Sequence, residues 1–491
     1  MAQVKTLIGQ QGMTFTNSFV SFSLCCPSRT TFLTGQYAHN HQVLSNDPLL
    51  GGYGKFATLH RSDNLAVWLH EAGYATAHIG KYLNGYGEED GDSTYVVPAC
   101  RELPQGWDEW YGGLDPYNYA YHNYVLNENG GLVVYGTLPA DFPPACQSPP
   151  VEQRAAIYRT DLEAAKAVEF INKRAAATDK KPFFLSVAFL AVHEDEFTDR
   201  RDSSRGLGSL GPEPAPGDQG RFAQAALPPK DSFSEAIMSD KPFFMRLLPA
   251  MGFVESKAVT QIYRHRMETL LAVDRAVQQI IDALASTGAL KRTVIIFTSD
   301  NGFFHGEHRL PAGKGLLYEE AIRVPLLIRG PGVAAGRTTD KLVGNVDLAP
   351  TILELAQATT LPSTHVLDGR SLVPLLSGQS VSTWRTAFLV EAGEHTPEEH
   401  GSAALRTLNP RYGDFFKNTP SYAAVRTARY LYGEYWTGER ELYNFTTDLC
   451  HHTDAGQLKS QHRNPCYSAR IEQLRRQLQV LKTCAGASCW Q

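Results

Sequence analysis

Segments with helical spacing alternate along this chain with short, β-branched apolar runs, and that alternation leaves few architectures open. Residues 64–73 read as a helix ended by Gly73, and 74–79 follow as a strand stopped by Gly80. The pattern returns at 153–175, a helix followed by the apolar strand 183–189, and again at 257–288, a long helix followed by 293–298. One more short strand is expected at 324–328. Near the start, 4–13 has helical spacing at Val4, Leu7 and Ile8 and ends at Gly12, while 14–20 alternates like a strand. A strand buried on both faces reads as a continuous apolar run, so the pattern predicts a doubly wound α/β domain with a mainly parallel sheet. In that architecture chemistry gathers at the carboxyl ends of strands. Lys81, His193 and Asp300 each fall just past one.

The punctuation then changes. Residues 200–232 are rich in Gly, Pro, Ser and charge and are expected to form a long surface loop. From about 365 onward, 387–391, 422–426, 430–435 and 441–445 read as short strands separated by turns, with a helix near 468–482. The expected organisation is therefore a catalytic-sized α/β domain over 1–364 and a smaller C-terminal α+β subdomain over 365–491, built on an antiparallel sheet. A formal charge of −5 gives no electrostatic reason to expect nucleic acid or an anionic membrane as partner. No apolar run reaches the length of a membrane span.

Of the 8 cysteines, Cys484 and Cys489 close a small loop after the last helical pattern, which suits a disulfide, and Cys450 and Cys466 bracket a short polar segment in the same way. Such pairs hint at export, against the alternative of unpaired buried thiols. Asn444-Phe445-Thr446 is a glycosylation sequon. The first residues lack a basic segment followed by an apolar stretch, so no leader is expected in the chain as it stands. The full-length form is expected to be secreted, extracellular or lysosomal.

The chemistry begins at Cys25-Cys26-Pro27-Ser28-Arg29-Thr30-Thr31-Phe32-Leu33-Thr34-Gly35. Adjacent cysteines fit a disulfide badly, and Ser28 or Thr30 could cap a helix after Pro27. A thiol held at a helix N-terminus beside Arg29 makes a good nucleophilic or anionic centre, although a structural role for the cysteines stays open on these residues alone. Thr298-Ser299-Asp300-Asn301-Gly302 offers hard oxygen ligands at a strand end, or equally a plain Asx turn. Lys81, Lys314 and His193, taken singly, read as solvated or structural side chains.

Together these stretches resemble the type I sulfatases of the alkaline phosphatase superfamily. The stretch at Cys25 matches that family's Cys-x-Pro-Ser-Arg-x-x-x-Leu-Thr-Gly signature at every fixed position. The resemblance implies that a formylglycine-generating enzyme oxidises Cys25 to formylglycine. Its hydrated aldehyde attacks sulfur, releases the ester alcohol and then expels sulfate. It implies that Arg29 hydrogen-bonds the diol, that Lys81, His193 and Lys314 hold the sulfate, and that Asp300 and Asn301 are half of a calcium (or magnesium) site. Gly306-Glu307-His308-Arg309-Leu310, Arg323-Val324-Pro325, 345–351 and 368–372 match as well, so the resemblance runs along nearly the whole chain.

Within the superfamily the chain resembles the arylsulfatase and N-acetylglucosamine-6-sulfatase-like enzymes, and Gly80-Lys81-Tyr82-Leu83-Asn84 is similar to the motif of the glucosamine-6-sulfatase and extracellular heparan sulfatase group. Leu83 stands where a histidine is more common, so Asn84 is expected to contact substrate, with His305 and His308 near the leaving group or sugar. The family also begins with an apolar strand ending in two aspartates, whereas this chain has no Asp or Glu before Asp47. The chain is thus expected to be N-terminally truncated and short of metal ligands. The expected function is hydrolysis of an aryl or carbohydrate sulfate. A phosphonate or phosphate monoester hydrolase and an inactive sulfated-glycan binder are the alternatives.

Overall fold

The computed structural model describes residues 1–88, 99–195, 211–378, 381–393, 419–446 and 457–491. In chain order the strands are β1 (Met13–Phe15), β2 (Ser18–Phe19), β3 (Ala75–Gly80), β4 (Glu109–Gly113), β5 (Tyr124–Glu128), β6 (Gly131–Tyr135), β7 (Glu152–Arg154), β8 (Phe183–Ala188), β9 (Ile295–Phe297), β10 (Leu326–Arg329), β11 (Arg337–Thr339), β12 (Val343–Gly344), β13 (Ala387–Ala392), β14 (Tyr422–Thr427), β15 (Tyr430–Tyr435) and β16 (Arg440–Asn444). A six-stranded sheet has the order β7-β6-β5-β4-β3-β8, with β4, β3 and β8 parallel at its centre and edge. A four-stranded sheet has the order β11-β1-β10-β9.

Alternation along β8 explains the layering. Leu185 and Val187 face one way, onto Ala167 of the helix Arg159–Ala176 and Ile280 of the helix Phe253–Ser286. Phe184 faces the other, onto Leu65, Trp68 and Leu69 of the helix Leu65–Glu71 and Ala349 and Leu353 of the helix Leu348–Ala356. Helices therefore cover both faces, as a mixed α/β fold with a mainly parallel sheet requires. Asn64 caps the helix Leu65–Glu71 by accepting from the amides of Ala66 and Val67.

Two expectations change in detail. The opening helical segment is a short turn of π type, Val4–Gly9, whose first amide is held by Asp274 at 2.9 Å. The expected strand over 14–20 is two pieces, β1 and β2, each pairing with a different partner. The expected single sheet is also divided. β8 and β9 are edge strands, half-buried along their length, and no ladder joins them. Both nevertheless sit under one helix, since Leu185 and Ile295 belong to the same apolar cluster as Ile280.

The C-terminal strands β13 to β16 form one antiparallel sheet, covered by the helix Ser468–Leu481 through Leu474, Leu478 and Leu481. Their apolar cluster is continuous with Phe19, Phe304 and Tyr318, so this sheet packs directly against the loops that carry the site. Cys484–Cys489 is a disulfide, as expected, and so is Cys100–Cys146, which spans 46 residues. Cys466 is disulfide-bonded, and Cys450 lies outside the described residues. Residues 200–210 of the expected long loop lie outside them too.

Arg385, just before β13, donates from both terminal nitrogens to Asp347, and both side chains are fully buried. Asp347 also accepts from the amides of Gly344 and Arg370. Arg385→Met leaves that carboxylate buried without its cation, and is expected to destabilise the protein by about 3–5 kcal/mol in urea denaturation. A loss under ~1 kcal/mol would show that the pair does not tie the two parts together.

Candidate active site

The helix Cys25–Thr34 begins abruptly. Leu24 is extended, with φ −137° and ψ 145°, and Cys25 is the first helical residue. Leu24 offers no side-chain acceptor, Asn46 Oδ1 accepts from the Cys26 amide at 2.9 Å, and the helix dipole favours an anion at Cys25. The Cys25 thiol is buried, with only 2% of the residue exposed. Two ammonium groups converge on its sulfur, Lys314 Nζ at 2.8 Å and Lys81 Nζ at 3.3 Å.

Lys81 is delivered by the end of β3. Gly80 has φ +100°, and a Cβ there would lie 2.2 Å from the Ala188 carbonyl, so glycine lets β3 turn out against β8. The Lys81 amide then donates to that same carbonyl at 2.8 Å. Arg29, one turn into the helix, binds the segment from the other side by donating to the carbonyls of Lys81 and Tyr82 at 2.7 and 3.2 Å. Its Nε donates to Asp300 at 2.8 Å, just past β9. Asn301 places Oδ1 3.4 Å from Lys314 Nζ.

The charges settle one another. Burial alone would raise the Cys25 thiol, but Lys314 and Lys81 outweigh it and bring the group below its ordinary range. Cys26, the next residue, goes the opposite way. Burial and the negative charge on Cys25 push it up to about 12, which keeps it a thiol. Burial works against ionised Asp300 as well, and Arg29, Lys314 and Lys81 overcome it, leaving the carboxylate charged. His193 is held neutral by burial and by the two lysines. Its Nδ1 lies 3.1 Å from the Glu194 carbonyl, an acceptor, so Nδ1 carries the proton and Nε2 keeps its lone pair.

The structure thus brings Cys25, Arg29, Lys81, Asp300, Asn301 and Lys314 into one cluster, with His193 and Asn84 joined to it through Tyr119. That tyrosine accepts from Asn84 Nδ2 at 2.5 Å, lies beneath Lys81 Nζ at 4.7 Å from its centroid, and packs its ring 4.9 Å from that of His193. Tyr119 is the residue the sequence reading missed. Its only signal was the aromatic run 117–121 in a segment with no helical or strand period.

His308 does not reach the site, contrary to expectation. It is fully buried, bonds Glu235 at 2.8 Å and stacks on Tyr318 at 4.2 Å, because the loop at 306–310 folds inward onto the C-terminal sheet. His305 packs against Phe303 and Tyr263 instead of against Cys25.

The metal expectation fares poorly on the donors present. Asp300 is engaged by Arg29, Asn301 donates to the Gly302 carbonyl at 2.8 Å, and three cations surround them. No group of three or more His, Cys, Asp or Glu suited to a metal occurs among the described residues. A hard divalent ion wants six or more oxygens, several of them anionic, so these two residues do not fit it. Calorimetric titration with calcium is expected to show binding no tighter than about 1 mM. A micromolar dissociation constant would overturn that reading.

The opposed shifts of the two cysteines give a second test. In the pH titration of thiolate absorbance, taken as the difference from Cys25→Ser, Cys25 should ionise below an ordinary thiol, and Lys314→Met should move the midpoint up. A midpoint in the ordinary range that ignores Lys314→Met would remove the electrostatic argument.

Comparison with known proteins agrees with this geometry. The family model described as Sulfatase matches residues 1–358, and that described as N-sulphoglucosamine sulphohydrolase, C-terminal, matches 306–483. The chain is 32% identical over 509 residues to human N-acetylglucosamine-6-sulfatase, covering 100% of this chain and 82% of that protein. It is 32% identical to an arylsulfatase of Volvox carteri over 97% of this chain and 70% of the relative. A solved structure described as in complex with its substrate D-glucosamine-2-N,6-O-disulfate superposes with a TM-score of 0.70 at 22% identity, covering 97% of this chain and 91% of that one. The site, the fold and these matches together make the chain a sulfuric ester hydrolase of the sulfatase family.

Proposed function

We propose that this chain cleaves the sulfate monoester of a sugar, with Cys25 as the precursor of its nucleophile. The observation that carries the reading is the convergence of Lys314 and Lys81 on the Cys25 sulfur at the start of a helix. Converted to formylglycine, Cys25 would supply a hydrated aldehyde, with one oxygen to attack sulfur and a second whose deprotonation expels sulfate.

The chain's own residues do the rest. Lys314 and Lys81 neutralise the sulfate oxygens and stabilise the charge that grows on them as the ester bond breaks. Arg29 stays locked to Asp300 and to the backbone after β3, fixing the helix start against the strand end. Neutral His193 presents Nε2 as a proton carrier, with its ring orientation set by Glu194 and Tyr119. Asn84 is positioned by Tyr119 at the rim, where a sugar hydroxyl would sit.

A sugar substrate is supported by the named relative that acts on N-acetylglucosamine 6-sulfate and by the disulfated glucosamine in the structural match. The disulfides Cys100–Cys146 and Cys484–Cys489 support an oxidising compartment, extracellular or lysosomal, reached after the formylglycine-generating enzyme has acted. The shortage of metal ligands favours one second reading, a sulfated-glycan binder that retains the cationic site without turnover.

Co-expression with the formylglycine-generating enzyme, followed by peptide mass spectrometry, should show conversion at Cys25 and none at Cys26. The converted protein should release sulfate from nitrophenyl sulfate faster than phosphate from nitrophenyl phosphate. Lys314→Ala and Lys81→Ala should each lower kcat/KM by about 10²–10³. A Cys25 peptide that always keeps its thiol, with sulfated sugars bound but never cleaved, establishes the binder instead.

A further inference from the structure

The helix Cys25–Thr34 is capped from a distance, by a side chain with half its capacity to spare. Asn46 Oδ1 accepts from the Cys26 amide at 2.9 Å. A backbone amide can only donate, which fixes the carboxamide, with Oδ1 toward the helix and Nδ2 turned away from it. First-turn amides point out of the N-terminal end of a helix, and the Cβ of a helical residue leans the same way. Asn46 and the Cys25 sulfur therefore stand at the same end of one helix. Asn46 is half-buried, and its Nδ2 makes no hydrogen bond among the described residues.

The loop that carries Asn46 is tied to itself and to Asn84. The Leu44 amide donates to the Leu50 carbonyl at 2.9 Å, and the Gly52 amide to the Ser45 carbonyl at 3.0 Å. A Cβ on Gly51 would lie 1.8 Å from that same carbonyl oxygen, so only glycine lets the loop close. The Tyr53 amide donates to the Asn84 carbonyl at 2.7 Å. A Cβ on Gly52 would lie 3.1 Å from the Asn46 carbonyl oxygen and 3.3 Å from that of Asn84. The two asparagines meet again at Cys26, whose amide serves Asn46 and whose sulfur accepts from the Asn84 backbone.

Their side chains are engaged in complementary halves. Asn84 gives Nδ2 to the Tyr119 hydroxyl at 2.5 Å, and its Oδ1 is buried without a donor. Asn46 gives Oδ1 to the helix and keeps Nδ2. One unused acceptor and one unused donor thus flank Cys26, beside the residue on which Lys81 and Lys314 converge at 3.3 and 2.8 Å. A buried acceptor without a donor is costly, so a ligand that serves it gains affinity. A hydroxyl suits both halves, since it donates one hydrogen bond and accepts another.

We infer that Asn46 is a specificity-determining residue which, with Asn84, reads a hydroxyl of the sugar beside the sulfate ester. Asn46 Nδ2 donates to the hydroxyl oxygen, and the hydroxyl donates to Asn84 Oδ1. The inference rests on the proposed function for the placement of the sulfate. The favoured substrate keeps a free hydroxyl near the ester, and one that lacks it leaves the Asn84 acceptor unserved.

Calorimetry on the full chain carrying Cys25→Ser, which lacks the thiolate that competes for both lysines, tests this by comparing glucosamine 6-sulfate with its 3-deoxy and 4-deoxy forms. The parent sugar should bind about 10–100-fold more tightly than one of the deoxy forms. Asn46→Asp keeps an oxygen to cap the helix and removes the donor, and its added charge acts on all three ligands alike. It should shrink the preference to within about threefold. Asn46→Ala, read on the same ratio of affinities, serves if Asn46→Asp does not fold.

A preference that survives these variants shows that Asn46 only caps the helix, and it overturns the inference, as does equal binding of the parent sugar and both deoxy forms. Lys314→Ala isolates the reading beneath it and should weaken all three ligands together. If it leaves them unchanged, the placement of the sulfate fails whatever Asn46 does, and absence of binding by all three ligands overturns both.

Discussion

Three cations, Arg29, Lys81 and Lys314, must share one poorly hydrated space, and the local structure is organised around making that tolerable. Two like charges 4 Å apart repel by about 4 kcal/mol at the effective dielectric of a partly buried site. The protein offsets this with two anions, Asp300 against Arg29 and the Cys25 thiolate against the lysines. The five charges arrive on four elements: Cys25 and Arg29 at a helix start, Lys81 at the end of β3, Asp300 at the end of β9 and Lys314 on the loop at 313–315. None could be moved alone. The cluster still carries an excess of positive charge, which suits a singly charged sulfate ester and the doubly charged sulfate it releases. Converting Cys25 to an uncharged aldehyde hydrate would raise that excess further, so the modified site should hold sulfate more strongly than the thiolate form.

How much of this the sequence carried depends on whether a feature was local. Asn64, the apolar stripe after it and Gly73 mark the helix Leu65–Glu71 within a residue or two, because capping and periodicity are local signals. The C-terminal strands were equally legible, since each alternates between turns of its own. Lys81, His193 and Asp300 could be placed at strand ends for the same reason. Tyr119 could not, because its importance comes from touching Asn84, Lys81 and His193, which lie far from it along the chain. His308 misled for the converse reason. It stands in a loop beside the Asp-Asn pair, yet the Tyr318 and Glu235 side chains that bury it are supplied by other segments. Cys100 and Cys146, separated by 46 residues, gave no local sign of pairing.

The apolar packing explains why the C-terminal sheet belongs to the site and is not an appendage. Tyr318 and Tyr435 donate to Glu441 at 2.9 and 2.6 Å, and Tyr443 donates to the same buried carboxylate. Tyr318 also stacks on His308, so the loop bearing Lys314 is gripped from the β15–β16 side. A lysine holding a sulfate must be stiff to stabilise charge without reorganising, and a long loop is stiff only when its flanks are buried. The sheet supplies that burial. Arg385 and Asp347 anchor it at the opposite end.

The divided sheet and the thin metal site belong together. β8 leads toward His193 and β9 leads into Asp300, so both open edges end at the reaction centre. Edge strands present unpaired backbone groups, and natural folds normally cover them or pair them. Here the two edges share the cover of Ile280 on one helix yet exchange no hydrogen bonds among the described residues. Their side chains are half-buried, where the neighbouring β3 is buried throughout. Asp300 follows β9 directly, so one half-buried edge leads into the place where Arg29, Lys314 and Lys81 outnumber the anionic oxygens.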